Sequence, residues 1–286
     1  MIPRRSLLFC PANRPEVHAK ALAAAPDILC LDLEDAVPAA AKAEARAIAI
    51  PFLCVSGGPE RVVRINSLRG IEGLRDLSAI LEAKPETGVI FLPKVMEPGE
   101  LRLAHDLIGE SAPGLRLAVL IETAEGLENA SAILRASDRI AFAMFGGVDL
   151  AADLGVAVAH EPLLYARSRL VVAAARAGVD LLDVPCLSFR DEAAITLEAQ
   201  AAKALGFTGK AALHPAGIAA IHKVFAPSPD EIARAETILT AYHASPTGLA
   251  TVDGKLVEKP VVRAMERILA LRDRMAPRTG VDRNDS

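Results

Sequence analysis

The sequence predicts an α/β protein in which eight parallel strands alternate with helices and close into a barrel, followed by a C-terminal extension. Three observations support this prediction: the chain has 286 residues, 52% of them are hydrophobic, and short apolar runs alternate with longer amphipathic segments. Eight such runs favour a (β/α)8 TIM barrel, which typically takes ~250 residues. An open doubly wound sheet is the alternative, although no Gly-x-Gly-x-x-Gly sequence follows any of the runs.

The predicted strands are short apolar runs, most of them rich in Leu, Ile or Val. They cover residues 7–9, 28–33, 62–65, 89–92, 117–121, 140–145, 181–184 and 211–213. Helical spacing of the apolar residues between them predicts helices over residues 15–25, 38–50, 100–108, 123–134, 163–175 and 191–205. Pro15 and Pro38 stand where the first two helices begin, and there a missing N–H group costs no hydrogen bond.

The character of the sequence changes after the eighth run. Ser228 and Glu231 have the spacing of a capping box, which predicts a helix from there to about His243. Asp253-Gly254 is a turn signal between residues 249–252 and 255–257 and predicts a small hairpin, followed by a helix over 260–272. We therefore expect two domains: a barrel over residues 1–225 and a C-terminal lid over residues 226–286, with the last ten or so residues disordered.

Composition excludes several classes of function. The net charge is −4, aromatic residues are 3% of the chain and Trp is absent, so the sequence has neither the basic excess nor the stacking residues of a nucleic-acid-binding protein. No apolar run reaches the ~18 residues of a membrane span, and no secretory h-region follows the N-terminus, so we expect a cytoplasmic protein. The four cysteines form no Cys-x-x-Cys pair, which argues against a zinc ribbon or a disulfide framework.

Charged residues follow most of the predicted strands. Because active sites of (β/α)8 barrels lie at the carboxyl ends of the strands, we expect these side chains to converge on one rim. In chain order they are Asp32, Glu34, Asp35, Arg64, Lys94, Glu122, Asp149, Asp183 and His214.

Glu122 and Asp149 are the most informative pair, because they follow the neighbouring fifth and sixth strands. Two carboxylates without nearby His or Cys suit Mg²⁺, which is usually held by one or two carboxylates, waters and substrate oxygens. The alternative is that each acid caps the helix that follows it.

Arg64 and Lys94 each allow two interpretations. Arg64 could bind an anionic substrate, because a guanidinium group matches a carboxylate bidentately, or it could form an ion pair with Asp32 or Glu34. Lys94 could form a Schiff base with a carbonyl substrate, or it could pair with an acid of the second or fifth strand. The acids around Lys94 favour the ion pair, since they raise the pKa of an amine.

Several motifs follow one another along the chain: RRSLLFCPANRPE (4–16), LDLEDAVP (31–38), VRIN (63–66), LPKV (92–95), IETAEG (121–126), FGGVDL (145–150), LHP (213–215) and GKLVEKPVVRAMERIL (254–269). In content and in order they resemble the HpcH/HpaI aldolase / citrate lyase beta-subunit (CitE-like) family. The resemblance covers residues 4 to 272. It implies a (β/α)8 barrel, Mg²⁺ as cofactor and coenzyme A thioesters as substrates.

The resemblance also implies roles for individual residues. Glu122 and Asp149 become the metal ligands, with Glu122 close to the substrate as well, and Arg64 becomes the catalytic residue that anchors the substrate. Asp32 and Glu34 are implied to join the catalytic group by orienting metal-bound waters.

Residues outside the rim receive implied roles too. Arg5, Arg14 and Lys20 would bind the phosphates of coenzyme A. Glu258 stands where family members that perform Claisen chemistry tend to carry an Asp, so it would be the proton-transfer group of the lid, with Asp253 as the substitute. The lid would come from an adjacent protomer of a homo-oligomer, a trimer or a hexamer.

The predicted function is that of a Mg²⁺-dependent lyase that cleaves, or forms by Claisen condensation, a carboxylated 3-hydroxyacyl thioester such as malyl-, citramalyl- or citryl-CoA. Three alternatives stay open: a malyl-CoA-type thioesterase, a metal-free Schiff-base aldolase that uses Lys94, and a non-catalytic subunit that binds an acyl thioester. The sequence leaves both the acyl group and the choice between coenzyme A and an acyl carrier protein undecided.

Overall fold

Eight parallel strands close into a barrel in the computed structural model, which describes residues 3–245 and 249–275 of the chain. The strands are β1 (Ser6–Pro11), β2 (Ile28–Asp32), β3 (Glu60–Arg64), β4 (Val89–Leu92), β5 (Arg116–Ile121), β6 (Ile140–Phe145), β7 (Asp180–Asp183) and β8 (Gly209–Ala212). Each strand pairs with the next, and Leu7 of β1 pairs with Ala211 of β8, which closes the sheet. The (β/α)8 TIM barrel is confirmed, and the open sheet is excluded.

Helices connect successive strands. They are α1 (Pro15–Ala23), α2 (Lys42–Leu53), α3 (Ile71–Ala83), α4 (Pro98–Ser111), α5 (Ala124–Ile133), α6 (Gly147–Leu154), α7 (Leu164–Ala177), α8 (Glu192–Leu205) and α9 (Ile218–Phe225). The sequence prediction contained no counterpart of α3, α6 or α9. Helix α1 ends two residues before its predicted end, and Ala25 adopts a left-handed backbone conformation with φ of 49°, which terminates a right-handed helix.

The strands are apolar because both of their faces are covered. Side chains that include Phe91, Phe142 and Leu182 fill the inside of the barrel, where the rings of Phe91 and Phe142 lie 5.5 Å apart in an edge-to-face arrangement. Side chains such as Leu31 and Val119 point outward and pack against the helices. A parallel barrel leaves no strand face in water, so its strands appear in the sequence as apolar runs without polar alternation.

Four charged residues form a layer at the amino-terminal end of the barrel: Arg4, Glu60, Arg116 and Asp180. They stand at or just before the first residues of β1, β3, β5 and β7, so that their charges alternate in sign around the barrel. Arg4 binds both oxygens of Glu60 at 2.6 and 2.8 Å and one oxygen of Asp180 at 3.0 Å. We call these four residues the basal layer; its charges balance.

Pro3 and the described residues after Phe225 belong to a second compact unit, distinct from the unit of Arg4–Phe225. It contains α10 (Pro229–His243), β9 (Ala250–Val252), β10 (Lys255–Val257) and α11 (Lys259–Met275). The capping box of Ser228 and Glu231 is confirmed by reciprocal bonds of 3.1 and 2.7 Å.

The predicted hairpin is also confirmed, with positive φ at both Asp253 and Gly254 as a tight two-residue turn requires. The role of this unit as a lid stays a prediction. Residues 276–286, predicted to be disordered, lie outside the described residues. Among the helices that the structure describes, none combines the length and the apolar character that crossing a membrane demands.

Candidate active site

A cavity of about 410 Å³ opens at the carboxyl ends of the strands. Its apolar lining includes Phe9 of β1, Leu120 of β5 and Met144 of β6. Its polar lining consists of charged side chains from the ends of β2, β3 and β5 and from the first turn of α6: Asp32, Asp35, Arg64, Glu122 and Asp149. The structure therefore brings five of the predicted rim residues to one cavity, at the end of the barrel where (β/α)8 enzymes have their active sites.

The side chains of Glu122 and Asp149 both line this cavity and lie within hydrogen-bonding reach of each other. The Glu122 side chain is buried, with 1% of its surface exposed. Burial, the charge of Glu34 and the contact with Asp149 together raise the pKa of Glu122 to about 9. Two carboxyl groups in contact need a proton or a cation between them. The structure thus brings together the two acids that we predicted to share one ion, and their role as metal ligands stays a prediction.

The position of Glu122 depends on its neighbours. The backbone N–H of Lys94 donates a 2.8 Å hydrogen bond to Glu122 Oε1. On the other side, a Cβ atom at Gly146 would lie 2.3 Å from Glu122 Cβ and 2.9 Å from Oε2. Any side chain at position 146 would therefore displace the carboxyl group of Glu122.

Arg64 is held by two acids and an aromatic ring. Its Nε and Nη2 donate to the two oxygens of Asp32 at 2.7 and 2.6 Å, and Nη1 lies 3.0 Å from Glu34 Oε2. The guanidinium carbon stands 4.9 Å from the centre of the Phe9 ring. Burial opposes the charge, but Asp32 and Glu34 raise the pKa of Arg64. The ion pair considered from the sequence is present, and it fixes the guanidinium group at the wall of the cavity.

Lys94 forms the predicted ion pair as well. Its Nζ lies 2.7 Å from Glu34 Oε1 and 3.5 Å from Asp35 Oδ1. Burial alone would lower the pKa of this amine, but the hydrogen bond and the charge of Glu34 raise it overall. A Schiff-base nucleophile needs a neutral amine, so this environment disfavours that alternative.

Acidic groups predominate at this end of the barrel. We call Asp32, Glu34, Asp35, Glu122 and Asp149 the acid cluster. In the described part of the chain, the first three of these acids form ion pairs with the two cations Arg64 and Lys94. Glu34 Oε2 makes no aligned hydrogen bond despite its contact with Arg64. The excess of negative charge favours binding of a cation.

The donor set fits a magnesium ion. Among the residues that the structure describes, no group of three or more His, Cys, Asp or Glu side chains is arranged around a metal position. Glu122 and Asp149 alone would supply the protein ligands, as is usual for Mg²⁺, which completes its coordination with water and substrate. Helix α6 adds a polar feature here, because its first turn lines the cavity and its N-cap, Gly146, carries no capping side chain.

The residues predicted to bind coenzyme A lie at different ends of the barrel. Arg14 follows the carboxyl end of β1, directly before α1, and pairs with Glu16 at 2.9 Å; Lys20 lies in the last turn of α1, and both side chains are exposed. Arg5 stands before β1 at the amino-terminal end, where it binds both oxygens of Asp27 at 2.8 Å. The structure does not bring Arg5 to the cavity, because a residue before a barrel strand lies at the opposite end from one after it.

Glu258 belongs to the second compact unit. It stands directly before α11 with an exposed side chain, and its carbonyl oxygen accepts hydrogen bonds from the backbone of Val261 and Val262 at 2.9 and 3.1 Å. Its proton-transfer role stays a prediction.

Sequence reasoning missed the residues that shape the cavity. Phe9, Leu120 and Met144 appeared only as members of apolar strands, because which side chains reach the mouth of the barrel depends on strand stagger. Gly146 had a sequence signal, since a Gly-Gly pair directly after a strand indicates close backbone approach.

Comparison with known proteins gives consistent results. A model of the HpcH/HpaI aldolase/citrate lyase family matches residues 5–215. The chain is 31% identical over 291 residues to the mitochondrial citramalyl-CoA lyase of Homo sapiens, covering 94% of this chain and 86% of the relative. It is 34% identical over 281 residues to a (3S)-malyl-CoA thioesterase of Cereibacter sphaeroides, covering 96% of each.

A solved structure extends the similarity to three dimensions. Protein CitE from Mycobacterium tuberculosis in complex with magnesium, acetoacetate and coenzyme A shares 32% sequence identity and a TM-score of 0.78 with this chain. The alignment covers 95% of this chain and 98% of that one. The likeness therefore includes nearly all of both molecules.

Proposed function

The chain belongs to the HpcH/HpaI aldolase/citrate lyase family, and on that premise we propose that it is a magnesium-dependent carbon–carbon lyase. Its substrate would be a coenzyme A thioester with a hydroxyl group on C3 and a free carboxylate, of the malyl, citramalyl or citryl type. The observation that carries the proposal is the contact between Glu122 and Asp149 at the cavity wall, close to a fixed Arg64. The relative named citramalyl-CoA lyase and the CitE complex with magnesium and coenzyme A support it.

Cleavage of such a substrate is a reverse Claisen-type reaction. The C3 hydroxyl group loses its proton, the bond between C2 and C3 breaks, and C2 leaves as the enolate of a shorter thioester, which then takes up a proton. The other product is an oxo acid. Magnesium, when bound by Glu122 and Asp149, supplies Lewis-acid polarisation of the oxygen on C3.

Arg64 would stabilise the enolate oxygen of the thioester. Asp32 and Glu34 occupy only part of the N–H donors of its guanidinium group, and the group packs over the Phe9 ring. A donor fixed before the reaction spends no energy on reorganisation, and such a donor is worth ~3–4 kcal/mol. Asp32 and Glu34 therefore act through Arg64, a more specific role than the orientation of metal-bound waters.

The first turn of α6 would receive the free carboxylate of the oxo-acid portion. Val148 and Asp149 of this turn line the cavity, and backbone N–H groups at a helix N-terminus attract anions. Arg14, which follows the carboxyl end of β1, and Lys20 of α1 would meet the phosphates of coenzyme A. Arg5 is not part of this proposal, because it binds Asp27 at the other end.

The decisive experiment is identification of the products. The purified protein is incubated with malyl-, citramalyl- and citryl-CoA, in Mg²⁺ and in excess chelator. We expect an oxo acid and a shorter acyl-CoA in equal amounts, in Mg²⁺ only. Full turnover in chelator would contradict the metal role, and inactivity towards the whole panel would favour a subunit that only binds the thioester.

Hydrolysis of the thioester is the second candidate function, favoured by the 34% identity to a (3S)-malyl-CoA thioesterase. The same assay separates the two functions, because hydrolysis releases free coenzyme A and an intact hydroxy acid without an oxo acid.

We also propose a homo-oligomer, a trimer or hexamer in which the lid bearing Glu258 comes from an adjacent protomer. Light scattering on the purified protein measures its mass and tests this part.

A further inference from the structure

Lys94 has an unusual backbone conformation for its residue type. It follows β4 after Pro93 and has φ of 52°, in the left-handed region that favours glycine. A lysine in this conformation is strained, and such strain persists only where the surrounding structure holds it. The proposed function assigns no role to this residue.

Lys94 makes two contacts of different chemical origin. Its backbone N–H binds Glu122 Oε1 at 2.8 Å, a contact that any residue except proline could make. Its side-chain ammonium group lies 2.7 Å from Glu34 Oε1. The left-handed backbone allows one residue to reach a predicted metal ligand with its main chain and the acid behind Arg64 with its side chain.

Glu34 is the acid whose behaviour depends most on Lys94. Its side chain is 7% exposed and is shared between the ammonium group of Lys94 and the guanidinium group of Arg64. Its Oε2 makes no aligned hydrogen bond. Without the ammonium group, a buried carboxylate close to Glu122 would keep Arg64 as its one remaining partner among the cations described here and would compete for a dication.

We propose that Lys94 is a positioning residue: its N–H fixes Glu122, and its ammonium group keeps Glu34 from binding the dication and from drawing Arg64 away from the substrate. The claim about catalysis rests on the proposed function, whereas the claim about metal binding can be tested on the protein without substrate. Removal of the ammonium group should therefore strengthen metal binding and weaken catalysis. An ion pair that merely stabilised the fold would not change the two in opposite directions.

The test uses Lys94→Met, which keeps the backbone N–H and an unbranched side chain one atom shorter but removes the charge. Mn²⁺ binding to the protein without substrate is measured by electron paramagnetic resonance, and turnover is measured in Mg²⁺. We expect the Kd for Mn²⁺ to fall by ~3–10-fold, because a like charge is lost. We expect kcat to fall by ~10–100-fold, as for other residues that orient the groups around a metal.

Two further variants at position 94 separate charge from backbone. Lys94→Arg should bind Mn²⁺ with the wild-type affinity, because it keeps the charge. Lys94→Gly should bind Mn²⁺ as tightly as Lys94→Met, while the release of backbone strain gives it the higher Tm of the two.

Lys84 provides the matched control. It is also a lysine with a left-handed backbone, with φ of 48°, at the exposed C-cap of α3. Lys84→Met should leave Mn²⁺ binding and turnover unchanged, and Lys84→Gly should raise Tm without affecting either.

Several results would overturn the proposal. Weaker Mn²⁺ binding by Lys94→Met together with lower turnover would indicate a structural ion pair, and unchanged turnover would exclude a positioning role. Borohydride trapping of an oxo acid on Lys94 would show a nucleophile instead. If the wild-type protein bound no Mn²⁺, the proposed function would fail together with this inference. If it bound Mn²⁺ and Lys94→Met bound it less well, this inference alone would fail.

Discussion

The two ends of the barrel both carry buried charges, but they balance them differently. In the basal layer, Arg4 and Arg116 alternate with Glu60 and Asp180, and Arg4 binds both acids. At the other end, the acid cluster outnumbers the cations that the structure pairs with it. Paired charges of equal number maintain a structure, whereas an excess of one sign attracts a ligand. The balance of charge thus distinguishes the binding end from the supporting end.

The largest effect on turnover should come from replacing Glu122, at the binding end, by its amide. Glu122→Gln should abolish Mg²⁺-dependent turnover, because it removes a metal ligand. Without metal it should leave Tm unchanged or raise it. A carboxyl group whose pKa is raised to about 9 destabilises the fold above its unfolded pKa, and Gln does not titrate. Turnover and differential scanning calorimetry test this, and retained turnover would refute the assignment of Glu122 as a ligand.

Arg64→Lys should lower kcat by ~10²–10³-fold, because an ammonium group keeps the charge but loses the planar fork that fits Asp32. Arg4→Lys is the control at the basal end and should leave kcat unchanged, since Arg4 contacts no cavity residue that we assign to the reaction. Steady-state kinetics of the two variants measures the difference. An equal loss of kcat in both variants would contradict a specific role of Arg64 in catalysis.

Glu258→Gln should lower kcat by ~10²-fold, the smaller end of the range for a lost general acid or base. Glu258 belongs to the second compact unit and not to the unit that forms the barrel, so this variant asks whether the acid cluster suffices for proton transfer. Asp253→Asn is the comparison, because Asp253 is the other acid considered for this role. A fully active Glu258→Gln would point to another base.

Glu60→Gln makes the same change at the basal end, and it should lower stability without lowering turnover, the opposite of Glu122→Gln. It leaves the buried Arg4 without its bidentate partner, which should cost about 3 kcal/mol of the free energy of unfolding. Turnover at saturating substrate should stay at the wild-type value. Urea unfolding gives the stability change, and a loss of activity without a loss of stability would remove the distinction between the two ends.

The smallest effect concerns pH and the basal end. His222 Nε2 lies 2.7 Å from Ser6 Oγ, and burial, then the charge of Arg5, lowers the pKa of His222, while Asp27 opposes the shift. The unfolded chain therefore binds a proton more readily than the folded one, so stability should fall as the pH drops below the unfolded value near 6.5. His222→Gln should flatten this decline in urea unfolding between pH 7.5 and 5.5. An identical decline would assign it to other groups.

Much of the barrel could be predicted from the sequence because parallel strands are apolar on both faces. Each strand was therefore visible as a run, even where, as in β8, alanines made the run weak. Helix α3 carries Ile71, Leu74, Leu77 and Ile80 at helical spacing, so the sequence contains the pattern of this helix. The short helices α6 and α9 offer too few turns for a clear period.

The candidate site was predictable as a set of residue types but not as a set of contacts. That Glu122 and Asp149 follow neighbouring strands is visible in the sequence; that Gly146 gives them room to touch depends on backbone positions. The position of Arg5 could have been predicted, because it precedes a strand instead of following one. The left-handed backbone of Lys94 carries no such signal, since lysine rarely adopts it.

The bond between Arg4 and Asp180 joins residues 176 positions apart in the chain. It forms only after β1 and β7 have both entered the sheet, because each residue stands at the start of its strand. A nascent chain that ends before β7 therefore has an incomplete ion-pair layer and a sheet with two open edges. Strand β7 completes the ion-pair layer, and β8 closes the sheet against β1. We therefore expect the barrel to gain its stability in one cooperative step late in synthesis, when β7 and β8 join the earlier strands.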